Sequence, residues 1–143
     1  MKFTVREAEE KDADKIEELA SRCSPLRGSV DGTYEYLAIC FGRYFLLAES
    51  EGRIIAFLVS FPNLDVEGEI WIYQIGVSSE SRRMNVAEEL LSEEIKRFVT
   101  DGYKKVKARI LEDNISSLSL FKKLGFNDVG IVDGWVEVEK VIS

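Results

Sequence analysis

Residues 68–77, GEIWIYQIGV, constrain the fold more than any other stretch of the chain. They are rich in β-branched and aromatic residues and apolar on both faces, which marks a strand inside a sheet rather than at its rim. A polar turn follows. Residues 85–99 then place Val86, Leu90, Leu91, Ile95 and Phe98 on one side of a helix. Residues 104–110, KKVKARI, alternate as a strand. Strand, helix and strand at this spacing make a βαβ crossover, so at least one strand pair runs parallel. Ligands of such sheets sit at the carboxyl ends of the strands, beside the N-terminus of the next helix. Here that place is the turn SSESRRMNVA, residues 78–87.

The remaining segments fall around this unit. Residues 2–8 read as a short strand, and residues 11–22 carry Ala13, Ile16, Leu19 and Ala20 at helical spacing. SPLRGSVDG, residues 24–32, is made of loop formers, and TYEYLAICF, residues 33–41, reads as a second helix. RYFLLAES and RIIAFLVSF flank Glu51 and Gly52 as a hairpin. A helix over 115–123 carries Leu118 and Phe121, with Leu124 just beyond and Gly125 as its stop. FNDVGIV and WVEVEKVI flank Asp133 and Gly134, a second hairpin turn. The order is β-α-α-β-β-β-α-β-α-β-β. It predicts an α/β (α+β) fold in one domain, residues 1–143, with a mixed central sheet of about six to seven strands and about four helices.

Composition excludes several chemistries. The chain has 143 residues and no histidine, so Ser-His and Cys-His dyads and histidine metal sites are ruled out, and no metal site is expected. A net charge of −7 argues against a nucleic-acid binder. No apolar run reaches the roughly 20 residues of a membrane span, and the N-terminus has no signal-peptide core, so a cytoplasmic location is expected. Cys23 and Cys40 are not expected to pair there, and Cys40, in the run YLAICF, is expected in the core.

Taken together, this order and two motifs resemble the GNAT superfamily of acyl-CoA-dependent N-acetyltransferases. GVSSESRRMNVAEELL is similar to the family's pyrophosphate motif, Arg/Gln-x-x-Gly-x-Gly/Ala, with Arg82 first, Asn85 fourth and Ala87 sixth. EDNISSLSLFKKLGF is similar to its Asn…Leu-Tyr-x-x-Leu-Gly-Phe segment, through Asn114, Leu120, Phe121, Leu124, Gly125 and Phe126. YEYLAICFGRYFLLAE and IWIYQIGV are also similar to parts of the diaminobutyrate acetyltransferases of ectoine biosynthesis. The resemblance implies acetyl-CoA as co-substrate and a small-molecule amine as acceptor. It implies a cofactor site at Ile75, Gly76, Val77, Arg82, Arg83, Met84, Asn85, Val86, Ala87, Asn114 and Phe121.

Two positions depart from that pattern. Asn85 stands where glycine would let backbone approach the pyrophosphate, although asparagine tolerates the left-handed region. Phe121 stands where many relatives place a tyrosine that protonates the leaving thiolate, and it has no proton to give. The strand residue that is Glu in some relatives is Trp71. The candidates for amine deprotonation and acceptor contact are therefore Glu69, Tyr73 and Gln74, the first two on the face of Trp71 if the strand alternates throughout. Asp31, Glu35 and Asp65 are expected to border the cleft, and Glu88 and Glu89 to point away from the diphosphate. Asn114 reads equally as a helix N-cap.

The leading expectation is direct attack of an amine on acetyl-CoA, without an acyl-enzyme. The alternatives are a CoA-binding regulatory module with little catalysis, and a protein or N-terminal acetyltransferase. The oligomeric state is open, a homodimer included.

Overall fold

The computed structural model describes residues 2–23, 32–82 and 85–143. Its elements are β1 (Thr4–Glu7), α1 (Ala13–Arg22), α2 (Thr33–Phe41), β2 (Phe45–Ser50), β3 (Arg53–Pro62), β4 (Glu69–Val77), α3 (Val86–Thr100), β5 (Lys105–Leu111), α4 (Ile115–Lys123), β6 (Asn127–Val132) and β7 (Trp135–Val141). This is the predicted order. The strands form one sheet in the order β1-β2-β3-β4-β5-β7-β6. Only β4 and β5 pair in parallel; the others run antiparallel. The strand predicted to be internal, β4, is the middle one of seven. No helix among the described residues is long and apolar enough to cross a membrane.

Helices cover both faces of the sheet. On one face α1 and α2 bury Ile16, Leu19, Ala20, Tyr34 and Ala38 against Phe45, Leu47, Phe57 and Val59. On the other, α3 and α4 bury Leu90, Leu91, Phe98 and Phe121 against Leu46, Leu58, Ile70, Ile72 and Val106. Each fully buried leucine contributes roughly 1.5–3 kcal/mol of transfer free energy, so these faces hold the helices in place. Polar ties add direction. The Arg6 guanidinium bridges Asp12, at 2.8 Å, and Glu49, which fixes the start of α1 against β1 and β2.

Turn chemistry closes the elements where the sequence placed it. Asp133 (φ 50°) and Gly134 (φ 83°) are both left-handed, as a two-residue hairpin loop needs. Gly125 ends α4 at φ 94°, with its N–H on Lys122 and the Phe126 N–H on Phe121. One expectation fails. Cys40 is exposed, because α2 turns Tyr34 and Ala38 inward and Cys40 away from the sheet. Cys23 is the buried cysteine, and both are free thiols.

Candidate active site

The site begins with one unmatched residue. Val59 of β3 faces Gln74 of β4, and the next residue, Ser60, faces Ile72. Tyr73 has no partner in β3 and is a β-bulge. The parallel ladder to β5 ends at the same level, at Ile72 and Ala108. Beyond it β4 continues to Val77 and β5 to Leu111 as separate strands. Between them lies a cleft of about 990 Å³, walled by residues 72–77 and 108–111.

The bulge also reverses the faces of β4. Before it, Ile70 and Ile72 point to α3, while Trp71 lies opposite Phe61, whose ring meets Phe41 of α2. After it, Ile75 and Val77 pack on the α3 side, and Gln74 and Gly76 turn to α1 and α2. Tyr73 stays on the α2 side, 5.4 Å from the Phe61 ring. Tyr73 and Gln74 are therefore consecutive residues on one face, which simple alternation does not allow. The free edge of Ile75, Gly76 and Val77 keeps its β3 partners and has no strand on the cleft side. Backbone groups on that side are left for a ligand.

The turn after β4 lies at the mouth of the cleft. Ser81 is buried, its N–H donating to Ser78 O and its Oγ accepting from the Ser78 hydroxyl at 2.9 Å. Asn85 sits at φ 57°, ψ 25°, the left-handed conformation for which glycine is the usual residue. Asparagine thus keeps the turn, as expected from its tolerance of that region. Behind it α3 presents its N-terminal amides and the positive end of its dipole. Arg82 and Ala87 line the cleft, whereas the Val86 side chain is buried in the core. Arg83 and Met84 lie outside the described residues. Glu88 does not point away; it lines the cleft and is matched by Lys123 of α4 at 3.0 Å. Glu89 is exposed.

Opposite the turn, Asn114 both caps α4 and lines the cleft. Its Oδ1 accepts from the Ser117 N–H at 3.3 Å, so the capping role is present whatever else the amide does. Phe121 is 2% exposed and meets Phe126 edge-on at 4.9 Å, while also forming part of the wall.

On the α1 and α2 side the walls carry Cys23, Thr33, Tyr73 and Gln74. The Tyr34 hydroxyl donates to Gln74 Oε1 at 2.6 Å, and the Tyr34 ring is fixed edge-on to Phe57. This fixes the orientation of the Gln74 amide. Burial pushes the Cys23 thiol up, against the opposing charge of Arg82. Glu69 is not brought to the cleft. It starts β4, at the end remote from the bulge, and accepts from Asn63 Nδ2 at 2.7 Å and Trp71 Nε1 at 2.8 Å. Burial raises its pKa, but those two bonds and the charges of Lys107 and Lys105 outweigh it, leaving the carboxyl below its ordinary value. That suits a fixed structural acceptor better than a proton acceptor. Glu35 faces a separate surface hollow with Glu10, Lys11 and Asp14, and Asp65 is exposed in the β3–β4 turn. Asp31 lies outside the described residues.

The acetyltransferase (GNAT) family model matches residues 13–126. The chain belongs to this family. It is accordingly an acetyltransferase, with acetyl-CoA as its acyl donor. It is 31% identical over 123 residues to an L-2,4-diaminobutyric acid acetyltransferase of Vibrio parahaemolyticus, covering 86% of this chain and 68% of that protein. A protein of the same name from Halalkalibacterium halodurans is 31% identical over 93 residues, 64% of this chain and 49% of that one. The chain thus spans between about half and two thirds of these relatives. Among solved structures the fold matches the diaminobutyrate acetyltransferase EctA of Paenibacillus lautus, crystallised with its substrate and coenzyme A, with a TM-score of 0.87 over 96% of this chain and 93% of that one at 19% identity. Ard1 of Thermoplasma volcanium gives a TM-score of 0.89 over 100% of this chain and 99% of that one at the same identity, so at this level the likeness shows the fold alone.

Neither Arg109, which lines the cleft, nor Tyr34, which holds the Gln74 amide from behind, was named as a site residue from sequence. A signal for Arg109 exists: it ends the alternation Lys105, Lys107, Arg109 at the carboxyl end of a parallel strand. Tyr34 stands at the start of the YEYLAICF run that carries the resemblance, but its contact with Gln74 joins residues distant in the chain.

Proposed function

We propose that this chain transfers the acetyl group of acetyl-CoA to a primary amine of a small diamino acid of the L-2,4-diaminobutyric acid class. The observation that carries the reading is the parting of β4 and β5, which leaves one backbone edge open between the left-handed turn and the α2 side. The pantetheine amides pair with Ile75, Gly76 and Val77 along that edge. The diphosphate takes the turn and α3 amides, with Arg82 as a direct ionic partner. Asn85 and Ala87 let backbone approach it, and Asn114 lines the opposite wall. Entering from the α2 side, the amine attacks the thioester carbonyl. It does so as the neutral amine: the N–C bond forms, the C–S bond breaks, and the proton shed by the new amide nitrogen passes to solvent, from which the thiolate can take one. Phe121 gives the departing thiolate no proton. Tyr73, 46% exposed and on the cleft wall, supplies a phenol there. The names of the sequence relatives favour a diamino acid over a peptide N-terminus.

With acetyl-CoA as donor, CoA release is expected to be fastest with L-2,4-diaminobutyrate among free diamines, amino acids and short peptides. Saturable acetyl-CoA binding without CoA release from any amine would leave only a binding module. Preference for peptide amines would move the acceptor to proteins.

The turn has its own test. Arg82→Ala is expected to weaken acetyl-CoA about 10-fold by calorimetry, the scale of one charge-assisted phosphate contact. Asn85→Gly should retain or improve affinity. Lys96→Ala, on an exposed face of α3, serves as the reference; Lys123 does not, because its loss bares Glu88 at the cleft. Equal affinities for the Arg82 and Lys96 variants would remove Arg82 from the site.

A further inference from the structure

The face of the sheet that the acceptor enters carries a cation with no full partner. Two positive groups lie over the Trp71 ring, Lys107 Nζ at 5.1 Å and Arg109 Cζ at 5.8 Å from its centre. Glu137 of β7 holds both, taking Lys107 at 2.7 Å on one oxygen and Arg109 Nε at 3.1 Å on the other. Lys107 and Glu137 are each 16% exposed and close on one another, whereas Arg109 is 47% exposed. Glu137 reaches Arg109 only at Nε. The two terminal nitrogens make no hydrogen bond among the described residues. Indole and carboxylate therefore hold the stem of the guanidinium and leave its outer edge open. That edge lies where β5 parts from β4, on the wall shared with Tyr73.

We propose that Arg109 is the receptor for the acceptor's carboxylate and the residue that makes this enzyme select amino acids over plain diamines. The inference rests on the small-amine reading above. A guanidinium edge matches a carboxylate with two parallel hydrogen bonds, and the same charge repels the second ammonium of a polyamine lacking a carboxylate. Trp71 and Glu137 hold the guanidinium in place. The carboxylate is remote from the bonds that change, so its contact belongs to ground state and transition state alike and acts on KM.

The decisive comparison is L-2,4-diaminobutyrate against 1,3-diaminopropane, the same skeleton without the carboxylate. The wild-type enzyme is expected to show a KM for the amino acid about 10- to 100-fold lower, the range of a charge-assisted pair. Arg109→Gln should raise the amino-acid KM and, by removing the repulsion, lower the diamine KM until the two meet, the change falling on the acceptor KM values rather than on kcat or the acetyl-CoA KM. Arg109→Lys should recover only part of the difference, because it keeps the charge and loses the fork. Equal KM values for the two acceptors in the wild type would overturn the proposal while leaving small-amine acetylation intact. A rise in the acetyl-CoA KM alone would assign Arg109 to the cofactor instead. Absence of turnover with either acceptor would sink the small-amine reading itself.

Discussion

Glu94→Gln is expected to unfold with nearly the wild-type free energy at pH 5 and with a larger one at pH 8. Glu94 lies on the inner face of α3 and is fully buried. Its Oε2 accepts from the Ser60 hydroxyl at 2.8 Å, and its Oε1 has no partner. Burial pushes its pKa well above the ordinary 4.5, and the Ser60 bond and the Arg97 charge offset only part of this. The folded protein therefore keeps a proton that the unfolded chain gives up. As pH rises from about 4.5 towards the folded pKa, stability falls by about 1.4 kcal/mol per unit, and above the folded pKa it levels. Glutamine copies the protonated form without titrating, so it removes the slope. Urea unfolding of both proteins from pH 5 to 9 measures it; parallel curves would show that Glu94 ionises in the folded state as freely as in the unfolded one. Asp12 beside Arg6 and Asp101 beside Arg43 act in the other direction. Their depressed pKa values contribute stability that is lost as pH falls below the ordinary 3.8, so the profile declines on both sides.

Gly76→Val is expected to cost both stability and acetyl transfer. A Cβ at Gly76 would lie 2.6 Å from Phe57 Cε1 and 3.3 Å from Cys23 Sγ. Phe57 cannot readily swing aside, since its ring meets Tyr34 at 5.8 Å and Phe45 at 6.4 Å. Overpacking of this kind costs about 1–3 kcal/mol. The strain falls on the open edge proposed to receive the pantetheine arm, and a shift of about 1 Å there is enough to lose roughly 100-fold in rate. The milder Gly76→Ala can be paired with Phe57→Leu, which removes the ring. If the clash is the cause, the double variant will be more stable than the two single losses added together. Strict additivity would place the damage elsewhere.

Most of the architecture was legible because it rests on local pattern. Periodicity gave every helix and strand, and Gly125, Asp133 and Gly134 announced their turns through the conformations they favour. Strand order was less accessible, since β7 enters between β5 and β6 only once the hairpin folds back. Asn85 was readable as a left-handed residue in a glycine position. The placement of Glu69 was not, because its partners Asn63 and Trp71 become neighbours only in the folded chain. Glu94 stood at an inward position of α3 yet carried the residue type of a surface. The reversal at Tyr73 was invisible, because a bulge is a mismatch between two strands and belongs to neither sequence alone.

That mismatch sets the protein's evolutionary arithmetic. A sheet of this kind gains order by continuing its ladder, and β4 and β5 stop after four residue pairs. Removing the unmatched tyrosine would restore simple alternation, with Gln74 still on the α1 and α2 side, and let the two strands knit along their length. The product would be a sturdier and inert sheet. Consensus or stability-guided redesign therefore has one position to leave alone. At Tyr73 local frustration is what keeps the cleft between β4 and β5 open.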